Sequence, residues 1–258
     1  MSNFQKYSQY YDLLYEDKNY KEESKYVIDI IEKLNSKAKS ILELGSGSGS
    51  HAFFLAENGF EITGIEQSQE MINQSLQKNI INFKSILGDI SKTKISQKFD
   101  VVVSIFHVIS YLNDNNSLIN CFQNTYNHLN DEGIFIFDVW YSPAVFHQKP
   151  ETRIKRLENQ EIEILRIAES KIISEKNVVE VNFDVSIKDK KTNISENLKE
   201  KHSMRHFSIP EIELLAKFTG FEIVLVEEFL TKKLPSIETW GVCFILKKVN
   251  QTKSQPQT

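Results

Sequence analysis

The feature that most constrains this chain is a glycine-rich stretch, residues 41–50, which reads ILELGSGSGS. A short apolar run that contains one carboxylate, Glu43, leads into glycines at every second position, and a helix-like segment follows at residues 51–57. Glycine adopts positive φ and lets another group approach the backbone closely, so the pattern predicts a strand, a tight turn and a helix start. Backbone N–H groups at a helix start bind carboxylates or phosphates. The turn therefore indicates a nucleotide-like cofactor site, with a purely structural turn as the alternative.

Strand and helix patterns alternate along the first half of the chain. Predicted helices cover residues 20–34, 51–57, 69–77 and 115–129, and predicted strands cover residues 41–44, 60–66, 83–87, 99–106 and 133–139. Such alternation is typical of a parallel sheet with helices on both faces, and ligands bind such sheets at the carboxyl ends of the strands. Four polar residues fall at these predicted ends: Glu66, Asp89, His107 and Asp138. We expect them to form one site.

The pattern changes after Trp140. Pro143 and Pro150 indicate a loop, and three strand-like runs follow at residues 161–174, 177–188 and 192–207. Apolar and polar residues alternate with period 2 between Val178 and Ile187, as in an antiparallel sheet with one apolar face. We therefore predict an inserted β-meander at residues 146–206, which caps the site or forms the surface of a homodimer.

The parallel pattern resumes after the insertion. Ser208 and Glu211 have the spacing of a helix N-cap and its third residue, and Gly220 ends that helix. Strand-like runs at residues 221–229 and 238–248 are joined by so few residues that they must be antiparallel. The predicted fold class is α/β: a doubly wound, mostly parallel seven-stranded sheet with an antiparallel last strand, built from residues 1–145 and 207–250. Residues 251–258 are polar and predicted to be disordered.

Composition argues against several classes of function. The net charge is −4, and no lysine block is interleaved with aromatic residues, which argues against a nucleic-acid partner. Cys121 and Cys243 lie far apart among apolar residues, so we expect buried reduced thiols and no metal site. The first residues lack the apolar core of a signal peptide, and no apolar run approaches 18 residues, so we expect a cytoplasmic protein without a membrane span.

The glycine spacing discriminates between cofactors. A dinucleotide fingerprint requires its third glycine one position later, where this chain has Ser50, and a final antiparallel hairpin is foreign to dinucleotide folds. The chain resembles the class I S-adenosylmethionine-dependent methyltransferases in three places: residues 43–49, Glu66 at the end of the second strand, and Gly88-Asp89 after the third. With the terminal hairpin, the resemblance covers almost the whole chain.

The resemblance implies S-adenosylmethionine as cofactor and assigns roles to residues. The glycine turn would meet the methionine and ribose parts, Glu66 the ribose hydroxyls and Asp89 the adenine amino group, with Ile90 against the ring. The alternatives are a solvated acid at Glu66 and a turn-forming Asp89. The full set of predicted cofactor residues is Glu43, Gly45, Ser46, Gly47, Gly49, Glu66, Gln67, Asp89, Ile90 and Phe106.

Methyl transfer from a sulfonium is an in-line displacement, for which alignment supplies much of the acceleration. An amine acceptor must also lose a proton. His107, just past the fourth strand, is the best-placed base; alternatively it anchors a helix start or the methionine carboxylate. Residues from the loop and the insertion, His147 and His206, are further candidate bases.

A narrower resemblance concerns the acceptor. The segments at residues 10–15, 138–143 and 204–207 resemble a small-molecule subgroup that includes the sugar N-methyltransferases acting on nucleotide-linked amino sugars. Here Tyr11 and Tyr141 would orient the acceptor and Trp140 would contact it. Arg205 would pair with an acceptor phosphate or carboxylate, or else form an ordinary ion pair. The N-terminal tyrosines would form a lid over the cofactor or a helix face packed on the sheet.

These residues predict an enzyme that transfers a methyl group to a nitrogen or oxygen of a small molecule, with an amino sugar nucleotide as one candidate acceptor. One alternative is an RNA methyltransferase, although base-amino methyltransferases carry an Asn/Asp-Pro-Pro-aromatic motif where this chain has residues 104–107, SIFH. Another alternative is a non-catalytic S-adenosylmethionine-binding protein whose meander serves as a partner surface.

Overall fold

The structure is a computed structural model that describes residues 13–14 and 18–249. Its internal contacts divide the chain into two units. The core unit contains residues 20–148 and 206–249. The meander unit contains residues 149–205, together with the described residues 13–14 and 18–19. Tyr11 and the tail at residues 251–258, both subjects of predictions above, lie outside the described residues.

The elements follow one another in the order that the sequence patterns predict for the core. In chain order they are α1 (Tyr20–Leu34), β1 (Ser40–Leu44), α2 (Ser50–Glu57), β2 (Glu61–Glu66), α3 (Gln69–Gln77), β3 (Phe83–Leu87), β4 (Phe99–Ser104), a 3₁₀ turn (Val108–Tyr111), α4 (Asn115–His128), β5 (Leu129–Tyr141), α5 (Ser142–Gln148), β6 (Arg153–Glu158), β7 (Ile162–Ile173), β8 (Val178–Asp189), β9 (Ser195–Phe207), α6 (Ile209–Thr219), β10 (Phe221–Glu228) and β11 (Gly241–Lys248).

Among the described residues, the core sheet contains seven strands in the order β3-β2-β1-β4-β5-β11-β10. Each neighbouring pair from β3 to β5 is parallel, whereas β11 is antiparallel to both β5 and β10. This arrangement confirms the predicted mostly parallel sheet with an antiparallel last strand. The strand order reverses between β1 and β4, and the carboxyl ends of these strands are where doubly wound sheets bind ligands.

Both faces of the core sheet are buried, which explains why β4 is apolar throughout. Val102 packs in a cluster with Phe122 of α4, whereas Val101 and Val103 pack on the opposite face in a cluster with Ile31 of α1. Alternate side chains of a strand point to opposite faces, so a strand covered on both faces has no polar side. The packing therefore leaves the strand ends, and not the faces, for polar chemistry.

The meander unit is an antiparallel sheet in which β6, β7, β8 and β9 pair in sequence. Its apolar face buries Ile162, Ile164, Val185 and Ile187 with Leu14. We expected three strands, and β6 is an addition. It is hard to recognise because its sequence, RIKRLE, places its two apolar residues three positions apart and not at alternate positions.

Several expectations for the core were wrong in detail; β5 begins at Leu129 and β11 at Gly241, and not at residues 133 and 238. Residues 142–148, predicted as loop, form α5, because Pro143 is the second residue of the helix, where its missing N–H is not needed. Strand β4 ends at Ser104, two residues earlier than expected, because Phe106 and His107 have φ of 72° and 59°. Left-handed backbone cannot continue a strand.

At its far end, β9 returns to the core, where Trp140 and Tyr141 of β5 pair in parallel with His206 and Phe207. In the part of the chain that the structure describes, no helix is both long and apolar enough to cross a membrane.

Candidate active site

A cavity of about 260 Å³ lies at the carboxyl ends of the parallel strands. Its walls come from the segments that follow β1, β2 and β3, and from the 3₁₀ turn that follows β4. Five residues predicted to bind the cofactor line it: Gly45, Glu66, Gln67, Asp89 and Ile90. The structure thus brings together residues that are up to 45 positions apart in sequence, as the strand-end argument predicts.

The three glycines of the turn all have left-handed backbone, with φ of 71° at Gly45, 53° at Gly47 and 73° at Gly49. The N–H of Gly45 donates to the carbonyl of Ile65 at 2.8 Å, which joins the turn to β2. A Cβ on Gly45 would lie only 2.7 Å from Cγ1 of Val108, whereas no atom lies within 4 Å of a Cβ on Gly47. Gly45 therefore permits close packing, and Gly47 leaves room for another molecule.

Glu66 connects the turn to the end of β2. One carboxylate oxygen, Oε2, accepts the N–H of Gly47 at 2.9 Å, and the other, Oε1, accepts the N–H of Ser68 at 2.8 Å. Each oxygen keeps a further lone pair for a ligand hydroxyl. The carboxylate is thus fixed by the backbone and still able to accept a pair of hydroxyl groups.

Glu43, at the end of β1, is a buried acid without a full set of partners. Its Oε2 has no hydrogen-bond partner among the described residues, and its Oε1 lies 3.9 Å from Nδ1 of His51. Burial, and secondarily the nearby Glu66 carboxylate, raise the pKa of Glu43 to about 8. The Oγ of Ser46 is also buried without a partner in the described structure. Unsatisfied buried polar atoms beside the turn fit a ligand that supplies polar groups there.

His51 is held from the other side by α1. Its Nε2 lies 2.6 Å from Oε2 of Glu23, and the ring of Tyr20 packs edge-on against it at 5.0 Å between centroids. All three groups lie at or near the start of a helix. These contacts tie α1 to the helix that follows the glycine turn.

Asp89 both forms a turn and lines the cavity. Its Oδ1 accepts from the N–H and the hydroxyl of Ser91, at 2.8 and 2.6 Å, and its Oδ2 lies 2.8 Å from Nζ of Lys92. Partial burial opposes ionisation of Asp89, but the hydrogen bonds from Lys92 and Ser91 outweigh it and lower its pKa. The two interpretations of this residue are compatible, because an ionised carboxylate at the cavity wall still accepts from a ligand donor.

A histidine and a buried acid meet beside the cavity, between β4 and β5. The N–H of His107 donates to Oδ1 of Asp138 at 3.0 Å, and the Nδ1 of His107 lies 2.7 Å from Oδ2 of Asp138. The side chain of Asp138 is 1% exposed and that of His107 is 22% exposed. Phe106 and His107 both hold left-handed backbone here. Such strain in non-glycine residues clusters at functional sites.

Aromatic residues surround this pair. The ring of Trp140 lies 6.3 Å from that of His107 and 5.4 Å from that of Trp240, measured between centroids. The sequence interpretation missed Trp240. Its place directly before β11 is the signal that could have found it, because Gly241, the first residue of β11, pairs with Trp140. A Cβ on Gly241 would lie 3.3 Å from Cε1 of His107, so this glycine packs against the imidazole.

Other predicted residues have different surroundings. His206 is fully buried, with Nδ1 2.8 Å from the hydroxyl of Ser142. His147 is exposed on α5, with Nε2 3.1 Å from Oε1 of Glu238. Arg205 belongs to the meander unit, where it pairs with Val178 across the sheet. Tyr141 is half-buried, and its N–H donates to the carbonyl of Trp240 at 3.0 Å. The proposed roles of all four in the reaction stay predictions.

The sequence interpretation also missed part of the cavity wall. The residues concerned are Val108, Tyr111, Leu112 and Ser117. They follow the carboxyl end of β4, and that position is the sequence signal that could have found them.

Among the described residues, no group of three or more His, Cys, Asp or Glu side chains could hold a metal ion. The cysteines are free and buried, and burial raises the pKa of both thiols.

Comparisons with known proteins agree with this geometry. Residues 41–133 match the family model described as a methyltransferase domain. A Bacillus subtilis (strain 168) protein named "Putative methyltransferase YqeM" is 30% identical over 213 residues, which cover 81% of this chain and 83% of that protein.

A second relative and a crystal structure extend the comparison. The dTDP-3-amino-3,4,6-trideoxy-alpha-D-glucopyranose N,N-dimethyltransferase of Streptomyces venezuelae is 26% identical over 138 residues, which cover 53% of this chain and 58% of that enzyme. The crystal structure of an S-adenosylmethionine-dependent methyltransferase from Clostridium acetobutylicum ATCC 824 matches with a TM-score of 0.82 at 21% identity, over 95% of this chain and 99% of that one. The structural likeness shows a shared fold.

Proposed function

This chain belongs to the S-adenosylmethionine-dependent methyltransferases, and we propose that it methylates a nitrogen of a small-molecule amine, with a nucleotide-linked amino sugar as the favoured acceptor. The observation that carries the proposal is the contact of His107 with the buried Asp138. His107 directly precedes Val108, which lies in the cavity wall. A base at this position serves an amine acceptor, which must lose a proton when it gains a methyl group. The choice of acceptor is supported by the name of the Streptomyces venezuelae relative.

The cofactor residues have separable tasks. Glu66 accepts from the two ribose hydroxyls, because its carboxylate has free lone pairs and a position fixed by Gly47 and Ser68. Asp89 accepts from the adenine amino group, with Ile90 against the ring. The unsatisfied oxygens of Glu43 and Ser46 receive polar groups of the methionine part. Gln67 and Phe106 complete this set.

When bound, S-adenosylmethionine supplies an activated methyl group on a cationic sulfur. The protein contributes alignment of the acceptor nitrogen behind that methyl group, which is worth on the order of 7–11 kcal/mol in well-oriented systems. Trp140 and Trp240 offer aromatic faces to a cationic amine or to the apolar face of a sugar ring. His107 accepts the proton that the amine gives up.

The test is a screen for S-adenosylhomocysteine release with nucleotide-linked amino sugars, simple amines and hydroxylated analogues. We expect turnover with an amino sugar and none with the analogue that has a hydroxyl in place of the amine. His107→Ala should then slow turnover about 10²- to 10⁴-fold and leave the Kd for S-adenosylmethionine near normal. Equal loss of binding and turnover would instead make His107 a cofactor ligand, and His147→Ala tests the exposed alternative base.

Turnover itself separates this proposal from the alternatives. Cofactor binding without turnover on any acceptor in the screen would favour the non-catalytic binding protein, and methylation of RNA in place of the amines would favour the RNA methyltransferase.

We further propose a cytoplasmic location and a homodimer formed through the meander. A mass of about one chain by light scattering would contradict the homodimer.

A further inference from the structure

Asp138 is one of the most buried acids of the core and is in contact with His107 through both of its carboxylate oxygens. Oδ1 accepts the backbone N–H at 3.0 Å, and Oδ2 lies 2.7 Å from Nδ1. Removing a carboxylate from water is costly unless it is hydrogen-bonded or paired. Its position is also fixed by the sheet, since Asp138 pairs with Cys243 across β5 and β11. A rigid, buried acid at this distance favours a proton on the ring nitrogen that faces it.

We propose that Asp138 is the positioning residue that keeps the proton of neutral His107 on Nδ1, so that Nε2 is the nitrogen that accepts the proton of the amine. Oδ2 of Asp138 lies 2.7 Å from Nδ1 without the alignment of a hydrogen bond, and a carboxylate, which only accepts, favours a proton on the ring nitrogen that it faces. The tautomer of a histidine is set in this way by the partner of its other nitrogen.

Two further contacts restrict the ring. Gly241 leaves only enough space for the imidazole, since a Cβ there would lie 3.3 Å from Cε1. Trp140 packs edge-on at 6.3 Å between centroids. With the Nδ1 edge against Asp138, Nε2 is the ring nitrogen left for the acceptor, and 22% of the side chain remains exposed.

The lone pair of the acceptor nitrogen forms the N–CH₃ bond while the CH₃–S bond breaks and its electron pair stays on sulfur. The proton on the methylated nitrogen passes to Nε2 of His107. The imidazolium so formed carries a proton on each nitrogen, and the carboxylate of Asp138 stabilises its charge until water removes the proton.

The proposal rests on His107 as the base, so the experiment reads the tautomer and the activity separately. Ring ¹⁵N shifts of the six histidines report which nitrogen is protonated, and His107→Ala identifies the signal of His107. In the wild-type protein at a pH where His107 is neutral, we expect a protonated Nδ1 and a bare Nε2. The opposite tautomer would overturn the proposal, whatever any variant does.

Asp138→Asn keeps the size of the side chain and its carbonyl acceptor for the backbone N–H, but presents an NH₂ group to Nδ1. We expect the proton of His107 to move to Nε2, kcat to fall at least 100-fold, and the Kd for S-adenosylmethionine to stay within about twofold. In a His107→Ala background, Asp138→Asn should have no further effect on kcat. An additional loss in that background would contradict action through His107.

Glu200→Gln is the matched control, because it removes the charge of an acid beside another histidine, His202, whose Nε2 lies 3.3 Å from Oε2 of Glu200 and which has no assigned role in the site. We expect the His202 signals to move while those of His107 and kcat stay unchanged. An unaltered kcat in His107→Ala would overturn the proposal that His107 is the base. The tautomer measurement would then test only whether Asp138 sets the protonated nitrogen of His107. An unaltered tautomer in folded Asp138→Asn would overturn the positioning role alone.

Discussion

Gly47, in the turn that follows β1, donates its backbone N–H at 2.9 Å to the carboxylate of Glu66, the last residue of β2. This bond fixes the acid that we propose as the acceptor of the ribose hydroxyls to a turn in which Gly47 leaves room for another molecule. Because Ser68 holds the second carboxylate oxygen, the acid is oriented before any ligand binds. A site that is organised in advance loses less entropy on binding.

Glu66→Ala should therefore weaken S-adenosylmethionine binding at least tenfold. It removes the proposed acceptor for two ribose hydroxyl groups and also leaves the N–H of Gly47 without its partner. Isothermal titration calorimetry measures the Kd, and Glu61→Ala, at the exposed start of the same strand, is the control. Unchanged affinity of Glu66→Ala would overturn the ribose assignment.

Gly45→Ala should destabilise the fold more than Gly47→Ala. Both positions have left-handed backbone, which costs a non-glycine residue about 1–2 kcal/mol. Only at Gly45 does the new methyl group overlap Val108, which adds an overpacking cost of about 1–3 kcal/mol. Urea unfolding gives both values. Adding Val108→Ala should restore part of the stability of Gly45→Ala, and equal losses at the two glycines would contradict the packing argument.

Glu43 should make stability fall with rising pH. Its folded pKa is about 8 and its ordinary value is 4.5, so between these values the folded chain holds a proton that the unfolded chain has lost. The stability that protonated Glu43 contributes is fully present below pH 4.5 and is lost as the pH rises through about 8. We therefore expect the free energy of unfolding of Glu43→Gln to rise, relative to that of the wild-type protein, by up to about 1.4 kcal/mol per pH unit in this window.

The measurement is urea unfolding at pH 5, 6.5 and 8, without cofactor. Glu57→Gln, an exposed acid at the end of α2, is the control and should follow the wild-type curve. Parallel curves for Glu43→Gln and wild type would show that Glu43 ionises normally in the folded protein.

Tyr26→Phe should cost about 1–3 kcal/mol of stability without affecting the Kd for S-adenosylmethionine. The hydroxyl of Tyr26 on α1 donates to Oε1 of Glu227 on β10 at 2.7 Å, and both side chains are buried. Loss of the hydroxyl leaves a buried carboxylate without this donor. Tyr126→Phe, which loses an exposed hydrogen bond to the carbonyl of Val249, should cost less. Equal unfolding free energies for the two variants would contradict this view.

Local patterns were sufficient for most of the core. The glycine spacing, the alternation of strands and helices, and the cap at Ser208, whose Oγ accepts the N–H of Glu211, each depend on neighbours in sequence. They placed Glu66 and Asp89 at one edge because the carboxyl ends of parallel strands meet there.

The remaining features depend on contacts between distant segments. His107, which has left-handed backbone, donates its N–H to Asp138 and has Gly241 packed against its ring, and neither partner is near in sequence. Strand β6 forms by pairing with β7, although its own residues have no alternation. Trp240 reaches Trp140 only through the antiparallel pairing of β11 with β5. Tertiary structure overrides local propensity at such positions.

The two units have separate hydrophobic clusters. Ile162, Ile164, Val185 and Ile187 of the meander pack with Leu14, and this cluster shares no residue with the two clusters of the core. Substitutions in one interior can therefore accumulate without repacking the other. Chimaeras that exchange residues 149–205 between relatives should therefore retain the packing of the two core clusters.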